Sequence, residues 1–93
     1  NPIGPAPAGL PHVIRRKHMT RPLHTIAREI SIDWKKPYFG AVPYLQAMAT
    51  LSSIDQPYHY DSGDSIVRYF LANAATWRGE TAKRIKAELK AML

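Results

Sequence analysis

The chain has 93 residues and is therefore at most one domain. Its hydrophobic content of 45% is too high for an intrinsically disordered chain, and it contains no cysteine. The absence of cysteine excludes disulfides, Cys-ligated zinc and a cysteine nucleophile, and it favours a reducing compartment such as the cytoplasm. The apolar runs are shorter than the roughly 18 residues of a membrane-spanning helix, so we expect no membrane partner.

Residues 1–18 are predicted to form an extended arm outside the domain. They contain four prolines, which exclude a helix, and then three cations at positions 15–17. The dipeptide His18-Met19 matches the remnant of a common cloning site before a native start codon, so a vector-derived arm and a native arm are both open. The formal net charge of +6 falls to +3 without the arm cations, which is ordinary for a single domain comprising residues 19–93.

The first helix is predicted over about residues 22–34. Its apolar residues recur at helical spacing, Thr20 is placed to cap it, and Pro22 suits its first turn. The second helix begins near Pro43, and residues 38–40 before it are consistent with either a loop or an extra turn. Residues 52–63 are predicted to be a connector, because they combine a proline, polar side chains and a glycine.

The third helix is predicted to run to about Trp77. Its cap is one of three polar residues, Asp61, Ser62 or Asp64. Gly79 separates this helix from the fourth, which extends to the end of the chain. Strand-like alternation is missing throughout, so the predicted fold class is all-α, a small bundle of about four helices.

The basic charge is concentrated towards the C-terminal end. Residues 20–64 carry a net charge of −1, whereas residues 65–93 carry +4. Glu80–Arg84 and Arg84–Glu88 are spaced as helical ion pairs. Five basic residues are the candidate contacts to nucleic acid or to an acidic partner: Arg78, Lys83, Arg84, Lys86 and Lys90.

A helix-turn-helix is one interpretation of this basic end. Ala75, Gly79 and Ile85 match its small, glycine and apolar positions. However, Glu80 and Glu88 occupy positions that are usually apolar in that motif, and the helix before the turn is too long. A simple αα-hairpin explains the same residues.

Three segments resemble a group of small proteins encoded by bacteriophages that infect actinobacteria. They are residues 65–74 (SIVRYFLANA), residues 77–89 (WRGETAKRIKAEL) and, as weaker support, residues 43–48 (PYLQAM). The resemblance covers residues 19–93 and leaves the arm outside. It implies a small accessory protein that acts in the cytoplasm of a host bacterium, and it supplies no activity that can be assigned residue by residue.

The richest group of reactive side chains lies in residues 58–65, which include His59, two carboxylates and two hydroxyls. This composition does not match a calcium loop, a zinc site or a nucleophile elbow, so we predict no catalytic residue, metal site or cofactor. Nine aromatic residues are present in the chain. Most are expected to fill the core, but seven of them could also stack on bases or form a binding face: Trp34, Tyr38, Phe39, Tyr44, Tyr58, Tyr60 and Tyr69. Tyr58 and Tyr60 are the aromatics that we expect to be exposed and available to a partner.

The favoured function is that of a non-enzymatic accessory protein acting by protein–protein interaction. Its partner would be a host or phage protein, a second copy of the chain, or both, because short amphipathic helices often complete their core by association. The alternative is a DNA-binding protein that uses the basic C-terminal helix in a helix-turn-helix-like arrangement.

Overall fold

The fold is known from a computed structural model, which describes residues 20–93. The predicted arm, residues 1–18, and the predicted start at Met19 lie outside this range. The elements in chain order are α1 (Leu23–Asp33), a 3₁₀ helix (Phe39–Ala41), α2 (Val42–Met48), β1 (Pro57–Tyr58), β2 (Asp61–Ser62), α3 (Gly63–Ala72) and α4 (Glu80–Met92). The predicted, mainly helical fold with four α-helices is confirmed for the described part of the chain.

Helix α1 is capped by a distant segment. Its N-cap residue is Pro22, where Thr20 was expected, and Pro22 makes no side-chain capping hydrogen bond. The amide of Leu23 donates to the carbonyl of Ser52, and the amide of His24 donates to that of Leu51 at 2.8 Å. These bonds satisfy two amides that a helix start leaves unpaired, so the connector after α2 fixes where α1 begins.

The segment before α2 forms an extra turn, since the 3₁₀ helix occupies the residues that the sequence left undecided. Pro43 lies in the first turn of α2, where its missing N–H costs no helical hydrogen bond. Helix α2 packs mainly against α3 and also against α1. Its buried side chains include Leu45 and Met48.

The expectation that no strand occurs is wrong for the connector. Pro57 pairs with Ser62 and Tyr58 with Asp61 in a two-stranded antiparallel hairpin. His59 in its turn has a φ of 55°. Strands of two residues are too short to show the alternation that identifies a strand in a sequence.

Helix α3 ends at Ala72, five residues before the predicted end at Trp77. The side-chain amide of Asn73 donates to the carbonyl of Tyr69 at 2.8 Å and closes the last turn. The loop that follows still buries Ala74 and Trp77. Helical spacing therefore identified residues of the core correctly but assigned them to the wrong element.

Helix α4 starts after Gly79, as predicted, and this residue has φ 114° and ψ 179°. Only glycine adopts this backbone region readily. Ala82, Ile85 and Leu89 form the buried stripe of α4, and its main helix contact is with α1.

Three aromatic rings form the centre of the core. Trp34 and Trp77 stack with their centroids 5.7 Å apart and their planes at 11°, and Phe70 meets both rings edge-on at 6.3 Å. The indole N–H of Trp77 donates to the carboxylate of Asp33 at 2.8 Å. The rings thus join the end of α1, the last turn of α3 and the loop before α4.

An ion-pair network joins α1 to α4 on the surface. Arg21 contacts Glu88 at 2.7 Å and Glu29 at 2.9 Å, and Arg84 also pairs with Glu29. The i,i+4 pairs predicted within α4 are replaced by these longer-range pairs. Hydrogen bonds from Arg21 and then Arg84 are the main causes that lower the pKa of Glu29.

Glu29→Gln is expected to weaken the dependence of stability on acid pH. Because folding lowers the pKa of Glu29, its contribution is fully present above the unfolded-chain value of about 4.3. The contribution is lost as pH falls through the lower folded-state value. Urea unfolding at stepped pH from about 7 to 3 should therefore show that the free energy of unfolding falls less steeply for the variant than for wild type. Asp55→Asn, at an exposed connector position, is the control. If the free energy of unfolding varied with pH identically in Glu29→Gln and wild type, the contribution of the ion-pair network to stability would be contradicted.

Candidate functional site

Most of the large exposed apolar side chains of the described residues are aromatic. Phe39 is 80% exposed, Tyr69 is 48% exposed and Tyr38 is 45% exposed. These three side chains come from the 3₁₀ helix, the residue before it and α3. Because α3 contacts the 3₁₀ helix, the rings are presented by adjoining elements.

The exposed rings occur in two touching pairs. The centroids of Tyr38 and Phe39 are 4.8 Å apart, and those of Tyr44 and Tyr69 are 5.4 Å apart. Tyr44 is half-buried on α2 and packs partly against the core. We call Tyr38, Phe39, Tyr44 and Tyr69 the aromatic surface.

Gly40 lies between the ring of Tyr38 and the end of α3. A Cβ atom on Gly40 would lie 2.5 Å from the ring of Tyr38 and 2.9 Å from the side-chain oxygen of Asn73. Asn73 lies one turn beyond Tyr69 and is bonded to its carbonyl. The absence of a side chain at Gly40 therefore lets Tyr38 pack against the end of α3.

The surroundings of the aromatic surface are positively charged. Lys35 and Lys36 precede it in the chain, Arg68 neighbours Tyr69, and all three cations are exposed. Residues 34–54 contain no Asp or Glu. A partner with acidic groups around an apolar centre would match this charge distribution.

The hairpin separates the two aromatics that the sequence selected. Tyr60 is fully exposed in the turn, as predicted, whereas Tyr58 is half-buried and packs against the core. The ring of His59 meets that of Tyr58 edge-on at 4.7 Å. Tyr60 is therefore an isolated exposed ring, and no ring contact joins it to the aromatic surface among the described residues.

The carboxylate of Asp64, next to the hairpin, is engaged in local structure. The hydroxyl of Ser62 donates to the carboxylate of Asp64, and this bond is the main cause that lowers the pKa of Asp64. Ser62 occupies the N-cap position of α3, one of the three positions expected, but its side chain makes no capping hydrogen bond. Residues 20–93 contain no group of three or more His, Asp or Glu side chains placed to hold a metal ion.

Four of the five predicted basic contacts lie along one side of α4. Arg78, Lys83 and Lys86 line a depression at the start of α4, beside Trp77. Lys90 lies one turn beyond Lys86, on the same side. We call Arg78, Lys83, Lys86 and Lys90 the basic ridge.

Lys86 is the most constrained member of the basic ridge. Its ammonium donates to the carbonyl of Trp77 at 2.6 Å and lies 5.9 Å from the centre of the Trp77 ring. Burial is the largest cause that lowers the pKa of Lys86, followed by the charges of Lys90 and Arg78. Arg78, Lys83 and Lys86 line the same depression, so these three cations lie close together.

The fifth predicted contact, Arg84, lies apart from the ridge. Its guanidinium pairs with Glu29 of α1. Glu29 also pairs with Arg21, which in turn binds Glu88. Arg84 therefore belongs to the network between α1 and α4.

The geometry around Gly79 differs from that of a helix-turn-helix. Residues 73–79 separate α3 from α4, whereas the motif joins its helices by a turn of roughly three or four residues. The main helix contact of α4 is with α1, and that of α3 is with α2. These contacts leave the basic ridge without the supporting helix that normally positions a recognition helix.

The sequence offered Tyr38, Phe39, Tyr44 and Tyr69 as members of a possible binding face, but it favoured the core for most of them. Tyr38, Phe39 and Tyr69 were counted among the aromatics expected mainly in the core. A usable signal was the position of Phe39 between two prolines and outside every predicted helical stripe. Tyr69 is harder to place, because it neighbours the buried Phe70.

Comparison with known proteins provides no relative for this chain. No protein-family model matches it, and no curated protein or solved structure is significantly similar to it. Within residues 20–93, every helix is too short or too polar to cross a membrane.

Proposed function

We propose that the protein is a small non-enzymatic binding protein that holds a partner protein on its aromatic surface. The observation that carries this proposal is the exposure of Phe39, which is 80% accessible while Phe70, Trp34 and Trp77 are buried. The domain thus has an aromatic core of its own, and the exposed rings are additional to it.

A protein partner suits the chemistry of these rings. Aromatic side chains are enriched at the centres of protein interfaces, where a few anchors supply most of the binding energy. Tyrosine offers a large apolar face and a hydroxyl for hydrogen bonding, and it loses little conformational freedom. The contacts between Tyr38 and Phe39, and between Tyr44 and Tyr69, hold the rings partly in place before binding.

Charge favours a different protein over a second copy as the partner. A two-fold symmetric contact would place the same surface against itself. Lys35 and Lys36 would then approach a rim of the same sign, because residues 34–54 supply no carboxylate. We therefore propose a partner with an apolar centre and an acidic rim.

The biological setting is part of the same proposal. The resemblance of residues 65–74 and 77–89 to small proteins of actinobacterial phages supports an accessory role. A role of this kind places the protein in the cytoplasm of a host bacterium and makes a host protein the preferred partner. No catalytic activity is expected.

Affinity capture from a lysate of an actinobacterium, with matched variants as bait, tests the proposal. Wild type should capture a protein that Phe39→Ala and Tyr69→Ala do not, because each variant removes one exposed ring. Tyr60→Ala, which removes an isolated exposed ring, is the control and should behave as wild type. Equal capture by all four baits would contradict the proposal, as would a concentration-dependent dimer that Phe39→Ala dissociates.

A further inference from the structure

We infer that the basic ridge binds the phosphate backbone of nucleic acid without reading its bases. This surface is separate from the aromatic surface and adds a second activity to the proposed protein binding. The inference rests on the spacing of the cations, on the position of the nearby carboxylates and on the lack of a large exposed hydrophobic side chain within α4.

The spacing of the ridge matches a chain of phosphates. Lys83, Lys86 and Lys90 are separated by three and four residues, which places them on one side of α4. They extend over about 10 Å of the helix axis. Successive phosphates of one strand are about 3.4 Å apart along a duplex axis, so the row spans about three of them.

The ridge keeps its charge because most nearby carboxylates are used elsewhere. Glu29 and Glu88 are bound by Arg21 and Arg84. Glu80 is the acidic residue among those lining the depression beside Trp77. Three cations of the ridge therefore share the depression with one carboxylate.

The central cation is held in place before any ligand arrives. The ammonium of Lys86 is fixed by the carbonyl and ring of Trp77. Trp77 is itself buried against Trp34 and cannot swing out to stack on a base. An ammonium has three donors, so Lys86 retains two for phosphate oxygens.

The composition of the ridge favours nucleic acid over an acidic protein. A protein interface has an apolar centre inside a polar rim. Among the described residues, the only large exposed hydrophobic side chain of α4 or its C-cap is Leu93, at the C-cap. Surfaces that bind nucleic acid are more polar and much more positively charged.

Sequence-independent binding follows from how α4 is supported. Its packing on α1, and the long segment 73–79 before it, differ from the arrangement that delivers a recognition helix into a groove. Contacts limited to phosphates position a protein without reading sequence. Affinity should therefore depend on salt and little on base composition.

Fluorescence anisotropy with labelled 20-base-pair DNA duplexes of two unrelated sequences, on the full chain at about 50–200 mM salt, tests the inference. Lys83→Glu/Lys90→Glu changes two exposed residues and should weaken binding at least about 10-fold, with the slope of log affinity against log salt reduced by about two. Arg28→Glu/Arg68→Glu changes the net charge equally at exposed positions away from the ridge. This control should lose less than about 3-fold in affinity.

Three results would overturn the inference. The first is no binding to either duplex at about 50 mM salt. The second is an equal loss of DNA affinity in both double variants. The third is that polyglutamate binds as tightly as DNA and with the same dependence on Lys83 and Lys90. The last result would assign the ridge to an acidic protein. Phe39→Ala should leave DNA binding unchanged, so the outcome is independent of the proposed protein binding.

Discussion

Trp77→Ala is expected to lower the free energy of unfolding by about 3–5 kcal/mol, the range for removing a large aromatic from a packed core. The ring is only 2% exposed. It stacks on Trp34 and meets Phe70 edge-on, so its loss leaves a cavity between α1, α3 and the loop before α4. The substitution also removes the hydrogen bond that the indole N–H donates to the carboxylate of Asp33.

This loss is large for a small domain. The free energy of unfolding of native proteins is about 5–15 kcal/mol. Short chains lie near the lower end of this range because they bury a smaller share of their surface. Urea unfolding followed by circular dichroism measures the change, with Tyr60→Ala as the control because that ring is fully exposed. A loss below about 1 kcal/mol for Trp77→Ala would contradict the packing of the three rings.

Gly63→Ala is expected to cost about 1–3 kcal/mol by overpacking. An added Cβ would lie 2.5 Å from the carbonyl oxygen of Ser53 and 2.7 Å from the Cα of Ile54. Both atoms belong to the backbone, which cannot move aside as a flexible side chain can. The amide of Gly63 also donates to the carbonyl of Gln56 at 2.8 Å, so the connector and the start of α3 would shift together.

Gly40→Ala is the matched control for Gly63→Ala. Its added Cβ would meet the exposed ring of Tyr38 and the side chain of Asn73, which can both rotate away. Urea unfolding should therefore show a smaller loss for Gly40→Ala than for Gly63→Ala. The reverse order would contradict the close approach of the connector to α3.

Long helices with clear apolar stripes were predictable from the sequence. The stripe of Leu23, Ile26 and Ile30 located α1 to within a residue at each end, and Gly79 marked the start of α4. The end of α3 was not predictable from spacing, because Trp77 lies in phase with the helix and reaches the core from a loop. The hairpin was missed because backbone pairing, which a short sequence pattern does not reveal, defines it.

Candidate site residues were predictable only as residue types. The sequence placed basic side chains on α4, but it could not show that Glu29 withdraws Arg84 from the others. That pairing joins residues far apart in the chain and arises only when α4 packs on α1. The exposure of Phe39 likewise becomes visible only in the folded chain.

The most direct test of the proposed function is the affinity of the captured partner, once purified, for wild type and for two variants. Calorimetric titration should show Phe39→Ala binding at least about 30-fold more weakly, the loss expected for an anchor that contributes about 2 kcal/mol. Lys83→Glu/Lys90→Glu should bind within about 3-fold of wild type, because the basic ridge lies outside the aromatic surface. The proposed partner site would be contradicted if Phe39→Ala bound the partner as tightly as wild type does while the lysine variant bound it much more weakly.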